Sequence, residues 1–228
     1  MTATIRLDRV SVRFGDRLAL DDVSCDLTAR RIAVIGSNGS GKSTFARLLN
    51  GLVTASGGRV LVNNLDPARD KRAVRRAVGF VFCNPDAQIV MPTVSEDLAF
   101  SLRNRGMTHA EISTRVADTL DRFGLAQIAT ERCFELSSGQ KQLLAVAAVA
   151  ISEPVLIVAD EPTALLDAQN TNLMRHHLID EVSQTVVLVT HDLALAEQCD
   201  VALRFVEGRL VATGNARDLV SAYRKDVE

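Results

Sequence analysis

Residues 36–43 read GSNGSGKS, a glycine-rich segment that ends in a lysine and a serine. The run before it, RIAVI (Arg31–Ile35), is almost continuously apolar, which is typical of a strand buried on both faces. A helical pattern follows over residues 44–52. Glycine allows tight turns in which successive N–H groups point at one anion, and a helix start adds partial positive charge. The segment therefore predicts a phosphate-binding loop between a buried strand and a helix.

This loop fits the pattern G-x-x-x-x-G-K-[ST] of the P-loop, in the strand–loop–helix context that the motif requires. We expect the Lys42 ammonium to reach the β- and γ-phosphates and the Ser43 hydroxyl to coordinate Mg²⁺. Thr44 is placed to contact the α-phosphate. The residues that we predict to hold the nucleotide are Gly36, Ser37, Asn38, Gly39, Ser40, Gly41, Lys42, Ser43 and Thr44.

A second apolar run, VLIVADE at residues 155–161, ends in two adjacent carboxylates. In P-loop enzymes the carboxylate at such a strand end helps to hold Mg²⁺, so we predict Asp160 as a metal ligand beside Ser43. Glu161 is then placed to polarise an attacking water as general base. The two segments predict a site for a nucleotide and Mg²⁺ but leave open which P-loop reaction occurs there.

Composition excludes several classes of protein. The chain has 228 residues, 47% hydrophobic and 24% charged, which suits one globular domain with a sizeable core. A net charge of −2 gives no electrostatic support to a nucleic-acid partner, so we predict none. No apolar run approaches the ~18–20 residues of a membrane span. The scattered cysteines argue for reduced thiols and against a zinc site, and we expect the pair His176 and His177 on the surface.

Apolar periodicity divides this single predicted domain, 1–228, into two parts. Residues 1–90 and 152–228 alternate strands and helices, which predicts an α/β core with a mostly parallel sheet and an antiparallel N-terminal sheet. Residues 91–151 carry helical patterns and predict a helical subdomain. Ser95 is a candidate cap, Thr108 begins a capping box, and a further helix starts at Ser138. A helix is also predicted over residues 168–182.

The order of four further motifs narrows the class. LSSGQKQ at residues 136–142, TALLD ending in Asp167, VTHD containing His191, and an aromatic residue at Phe14 follow the pattern of one family. In these motifs and in their spacing the sequence resembles the ATP-binding cassette (ABC) ATPases over nearly its whole length. The usual signature is LSGGQ, and here Ser138 replaces the first glycine. Serine is small, so we expect little loss.

The resemblance implies a fold and a mechanism. The fold would be the P-loop NTPase (RecA-like) core with a helical subdomain. Two such domains would pack head to tail, with each ATP between the P-loop of one and the signature helix of the other. The family assigns ATP contacts to Phe14 (adenine), Ser137, Ser138, Gly139, Gln140 and Asp167. It assigns a γ-phosphate contact and orientation of the water to His191. A homodimer would contain two complete sites, and a heterodimer stays open.

Within the family, residues 84–94 (NPDAQIVMPTV) resemble the ATPases of energy-coupling factor (ECF) importers for vitamins and metal ions, nearest to the biotin type. That resemblance implies a transmembrane coupling subunit, a substrate-binding membrane subunit, and a peripheral location on the cytoplasmic face of the cell membrane. Cobalt and nickel importers have similar ATPases. The alternatives are another ABC importer, a soluble ABC switch protein without transport, and a small-molecule kinase.

Position 83 departs from the family, which normally has glutamine there to reach Mg²⁺ and the attacking water. Cys83 offers a thiol, which is a poor ligand for a hard ion and cannot both donate and accept as an amide does. Either water completes the metal shell and the change is tolerated, or intrinsic hydrolysis is lowered and depends more on the partner. Gln88 lies beyond Pro85 and is expected to face the groove for the membrane partner.

Overall fold

The computed structural model describes residues 2–103, 105–164 and 166–227. The chain forms two compact units. The first comprises the chain up to Phe80, Val155–Glu161 and the chain from Ser183 onward, and the second comprises Val81–Pro154 and Pro162–Val182. The second unit thus contains the predicted helical segment 91–151 together with residues 81–90, 152–154 and 162–182, which the sequence placed in the core. Among the described residues, no helix has the length and apolar character that a membrane span needs.

The first unit is built from strands and flanking helices. In chain order its elements are β1 (Ile5–Phe14), β2 (Arg17–Leu27), β3 (Arg31–Ile35), α1 (Lys42–Leu49), β4 (Gly57–Val62), α2 (Lys71–Ala77), β5 (Val78–Val81), β6 (Leu156–Asp160), β7 (Thr185–Val189), α7 (Leu193–Ala196), β8 (Val201–Val206), β9 (Arg209–Asn215) and α8 (Ala216–Val227). A six-stranded sheet has the order β5-β6-β7-β3-β8-β9, and a three-stranded sheet the order β2-β1-β4.

The prediction of an α/β fold is confirmed. In the larger sheet β3 pairs parallel with β7 and β8, and β6 pairs parallel with β7, while the edge strand β9 is antiparallel to β8. The smaller sheet is antiparallel, as predicted. Every residue of β3, β6 and β7 is buried, because helices cover both faces of a parallel sheet. The predicted site lies at the carboxyl ends of β3 and β6. Its residues therefore follow directly after strands that are closely packed in the core.

Helices α2 and α8 were missed by the sequence analysis. Helix α2 spans seven residues and buries Val74 alone, so it has no apolar period to detect. Helix α8 does carry an apolar stripe, with Ala216, Leu219, Val220 and Tyr223 at helical spacing, so its pattern was readable in the sequence and was overlooked. Helix α2 lies on the surface of the first unit, where packing rather than an apolar stripe sets its conformation.

The second unit is helical, with α3 (Val94–Ser101), α4 (His109–Arg122), α5 (Ser138–Ala150) and α6 (Ala168–Arg175). Thr108 begins a capping box at α4, as predicted. The cap of α3 is Thr93 and not Ser95, because the Glu96 side chain reaches back to the Thr93 N–H, 3.1 Å away. The predicted helix over residues 168–182 changes after α6 into a π-helical turn, His176–Glu181.

The expectation that His177 lies on the surface was wrong. Its ring stacks on Phe123, with centroids 4.4 Å apart, and its side chain is 4% exposed. The ring also contacts Glu181, which Arg122 holds at 2.6 Å. Burial lowers the pKa of His177, and the hydrogen bond and charge of Glu181 partly offset this shift. A π-helical turn widens the helix and redirects the side chains, and no sequence period signals it.

Candidate active site

The phosphate loop connects the end of β3 to the start of α1. Gly36 has φ +143°, and a Cβ there would lie 2.2 Å from the backbone oxygen of Phe205. Only glycine fits this close approach. The loop is closed internally by the Ser40 N–H, which donates to the Ser37 oxygen at 3.2 Å, and it is anchored by the Gly208 N–H on the Ser40 oxygen at 2.9 Å. The predicted loop thus has a rigid, tightly turned backbone.

Lys42 is held inside this loop. Its Nζ donates to the backbone oxygens of Gly36, at 2.7 Å, and of Ser37, at 2.9 Å. The residue is 6% exposed. Burial lowers the pKa of Lys42, while the charges of Glu161 and Asp160 oppose that shift. An ammonium fixed by two carbonyls of a glycine-rich loop at a helix start is placed to bind an anion there.

Ser43 and Asp160 meet although they lie far apart in sequence. The Ser43 Oγ donates to Asp160 Oδ1 at 2.9 Å, and the Arg47 guanidinium lies 3.8 Å from Asp160 Oδ2. A hydroxyl and a carboxylate are the hard oxygen donors that Mg²⁺ prefers. Within the described parts of the chain there is no cluster of three or more His, Cys, Asp or Glu residues that could hold a metal. These two groups fit Mg²⁺, which binds proteins through one or two side chains with water and phosphate oxygens completing its shell.

Glu161 and His191 form a second pair at the same edge of the sheet. His191 Nδ1 lies 2.7 Å from Glu161 Oε2, and the His191 N–H donates to that oxygen at 3.3 Å. Glu161 has φ +54°, an uncommon conformation for a residue with a side chain. The imidazole is 65% exposed and the carboxylate 18%. The carboxylate is therefore held in place by a residue from the end of the neighbouring strand and still meets solvent.

Two arginines near the loop escaped the sequence analysis. Arg47 contacts Asp160, as described above. Arg17 lines the cleft of the phosphate loop, and its guanidinium nitrogen lies 3.8 Å from the position of a Cβ on Gly39. Neither belongs to a short motif, so only the fold reveals them. Phe14, the predicted adenine contact, is 52% exposed at the end of β1.

The signature residues lie in the second unit, at the start of α5. Ser137 is the N-cap: its Oγ accepts from the Gln140 N–H at 3.2 Å, and Gln140 Oε1 accepts from the Ser137 N–H at 2.8 Å. This capping box leaves Ser137 and Ser138 exposed at the positive end of the helix. The arrangement presents hydroxyl groups and a helix start to solvent, as an anion site requires.

Gly139 is buried against the side chain of another residue of the second unit. A Cβ on Gly139 would lie 2.4 Å from Cγ of Asn170. Asp167 holds that amide, since its Oδ1 accepts from Asn170 Nδ2 at 3.0 Å and from the Asn170 N–H at 2.8 Å. Asn170 was not singled out by sequence. It joins the predicted signature to the predicted D-loop, whose Leu165 lies outside the described residues.

We expect Gly139→Ala to lower the ATPase rate by about tenfold, since overpacking a tight contact costs about 1–3 kcal/mol. The added methyl displaces Asn170 and with it the Asp167 cap. The double variant Gly139→Ala/Asn170→Ala removes the clash and should regain most of the rate, measured as steady-state phosphate release. If the double variant is no faster than Gly139→Ala, the contact with Asn170 is not the reason for the glycine.

The parallel sheet, the glycine loop after β3 and the carboxylates after β6 define a P-loop nucleotide-binding protein. A family model described as "ABC transporter" matches residues 20–164. The Biotin transport ATP-binding protein BioM of Rhizobium etli is 42% identical over 97% of this chain and 98% of its own length. The Energy-coupling factor transporter ATP-binding protein EcfA1 of Symbiobacterium thermophilum is 42% identical over 89% of this chain and 73% of its own length.

A solved structure agrees with these relatives. CbiO1 of Clostridium perfringens, described as part of the ABC transporter complex cbiONQ, superposes with a TM-score of 0.87 at 29% identity, over 99% of this chain and 94% of that one. The chain therefore belongs to the ABC transporter ATP-binding family, and it is an ATP-binding ATPase.

Proposed function

We propose that the chain is the ATPase subunit of an ECF-type importer. The observation that carries this proposal is near-full-length similarity to ATPases named for biotin transport and for energy-coupling factor transporters. The motif NPDAQ, residues 84–88, supports the same group. The partners would be a transmembrane coupling subunit and a substrate-binding membrane subunit, and the chain would sit peripherally on the cytoplasmic face of the membrane.

The cargo that we favour is a vitamin, biotin first, with a transition-metal ion as the alternative. The BioM relative and the segment 89–94 (IVMPTV) support biotin. The solved structure of CbiO1 comes from the ABC transporter complex cbiONQ, so it does not add to the support for biotin. The cargo would be selected by the membrane subunit rather than by this chain.

Each residue of the site has a proposed step. Lys42 neutralises the β- and γ-phosphates, and the loop N–H groups hold them. Ser43 and Asp160 would hold Mg²⁺, which supplies charge neutralisation at the phosphate oxygens. Glu161 accepts a proton from the attacking water, and His191 orients the Glu161 carboxylate and contacts the γ-phosphate.

A second copy would complete each site. The exposed helix start at Ser137 and Ser138 would face the γ-phosphate bound by the other protomer, where its partial positive charge stabilises the transferred group. Gly139, Gln140 and Asp167 would shape that contact, and Phe14 would stack on adenine. The chain carries both halves of such a site, so we favour a homodimer.

Affinity purification from native membranes tests this assignment. A tagged chain expressed at its native level should copurify with small membrane proteins, in amounts that survive a high-salt wash. Glu161→Gln with ATP should increase the yield if the complex assembles around the closed dimer. Isolation only as a dimer without membrane proteins, together with association with nucleic acid or ribosomes, would support the soluble switch instead.

Cys83 provides a separate prediction. Cys83→Gln restores the amide that the family uses, and we expect the basal ATPase rate to change by less than about threefold, because Mg²⁺ readily keeps water in its shell. The measurement is phosphate release at saturating ATP, with Cys83→Ser as the matched control. A tenfold or larger rise (about 1.4 kcal/mol) in the glutamine variant alone would show that the thiol lowers intrinsic hydrolysis.

A further inference from the structure

The loop 82–88 is fastened to the signature helix α5 by side chains that the ATP site does not use. Gln142 lies in α5, is 2% exposed, and donates from Nε2 to the backbone oxygen of Phe82 at 3.1 Å. Gln88 accepts from the Phe82 N–H at 3.2 Å and donates from Nε2 to the Ala145 oxygen at 2.9 Å. Both backbone polar groups of Phe82 are thus held by glutamine side chains.

An ion pair extends this attachment. Lys141 Nζ lies 2.8 Å from Asp86 Oδ1, and the Lys141 side chain is only 17% exposed. Ala145 is three residues after Gln142 and four after Lys141, so it adjoins both on the surface of α5. The loop therefore lies along this part of α5 with contacts near both of its ends. The Gln88 amide is thus used inside the unit, while its side chain stays partly exposed.

We propose that Gln88 and Gln142 are positioning residues that make the loop 82–88 and the signature helix move as one body. Gln140 and Ser137 lie at the start of α5, directly before Lys141. Displacement of the loop must then shift the signature or break the two amide contacts and the ion pair. This inference rests on the proposed function, in which the signature binds ATP of a second copy. It names the contacts through which movement of the loop and binding of that ATP would affect each other.

The coupling is reciprocal: if loop movement alters the signature, engagement of the signature must alter the loop. Cys83 reports on the loop without any added probe. It is exposed, whereas Cys133 and Cys199 are buried and Cys25 is half-buried. Burial raises the pKa of Cys25 and Cys199 to about 12 and that of Cys133 to about 11. Thiolates are the reactive form, so a maleimide should label Cys83 selectively.

Two substitutions separate coupling from simple loop closure. Gln88→Glu keeps an acceptor oxygen for the Phe82 N–H but loses the donor to Ala145, so the loop stays closed while one of its contacts with α5 is removed. Gln88→Ala removes both contacts. If the residue only closes the loop, Gln88→Glu behaves as the parent. If it couples the loop to the helix, Gln88→Glu behaves as Gln88→Ala. Gln127→Ala, at an exposed glutamine of the same unit, is the matched control.

The experiment measures the rate of Cys83 labelling in Glu161→Gln with saturating ATP, under excess maleimide, alongside size-exclusion chromatography. Adding Ser137→Arg blocks the signature, so any direct protection of Cys83 by ATP persists in that variant. The difference between the two rates is the part that the signature transmits. We expect a difference of at least threefold, retained in Gln127→Ala and reduced to a similar extent in Gln88→Glu and Gln88→Ala.

The outcomes are distinct. If the ATP dimer forms and Gln88→Glu retains the full difference, or the parent shows none, the coupling proposal is overturned while the proposed function stands. If no ATP dimer forms, or Ser137→Arg still forms it, the proposed function fails at the signature and this inference fails with it. The swapped pair Asp86→Lys/Lys141→Asp is a second test. It should restore the difference that either single change reduces, and a swap as impaired as the singles would count against coupling through this ion pair.

Discussion

Replacing Glu161 by glutamine is expected to leave ATP binding intact, lower turnover by roughly 10²–10⁴-fold, and accumulate an ATP-bound dimer. Glutamine has nearly the same shape but cannot accept the proton from water. Its amide can still meet His191, whose Nδ1 lies 2.7 Å from the native carboxylate, so the geometry of the pair is kept. Equilibrium nucleotide binding, phosphate release and size-exclusion chromatography measure the three effects.

Glu153→Gln is the matched control for that prediction. Glu153 shares the left-handed backbone of Glu161, with φ +48°, but it lies on the surface and pairs with Arg115 at 3.2 Å. An exposed ion pair contributes little, so this variant should hydrolyse ATP normally. A Glu161→Gln protein with normal turnover would show that another group is the base.

Lys42→Ala should weaken ATP binding by at least about a hundredfold, which corresponds to about 2.7 kcal/mol. The ammonium is fixed by two backbone oxygens of the phosphate loop, so its charge lies where the phosphates would bind, and charge-assisted hydrogen bonds to phosphate are strong. Fold stability should change little, because burial of this cation is itself unfavourable, as the lowered pKa of Lys42 indicates. Nucleotide titration and thermal unfolding distinguish the two effects.

Two further variants serve as comparisons for Lys42→Ala. Lys42→Arg keeps the charge but places a planar guanidinium where a compact ammonium donates to two oxygens, so we expect it to bind ATP poorly as well. Lys71→Ala, at an exposed lysine on α2, should bind ATP as the parent does. Unchanged affinity in Lys42→Ala would remove this lysine from the phosphate site.

The sequence predicted the phosphate loop and its flanking elements because each is specified locally. The loop has three glycines, one lysine and one serine at fixed spacing, and it follows a run that is buried on both faces in β3. This combination leaves few other conformations. The capping box at Thr108 was equally local, since both partners lie within one turn of helix.

Only the tertiary structure decided the contacts between segments that lie far apart in the chain. The Ser43–Asp160 hydrogen bond, the Glu161–His191 pair and the packing of Asn170 on Gly139 each join distant residues. The burial of His177 and the hydrogen bond from Gln88 to Ala145 belong to the same class. The sequence alone determined which chemistry the chain carries, because the motifs identify the side chains that bind the nucleotide and act in hydrolysis. The fold decided what holds those groups, because a side chain's partner depends on which strand ends and helix faces meet.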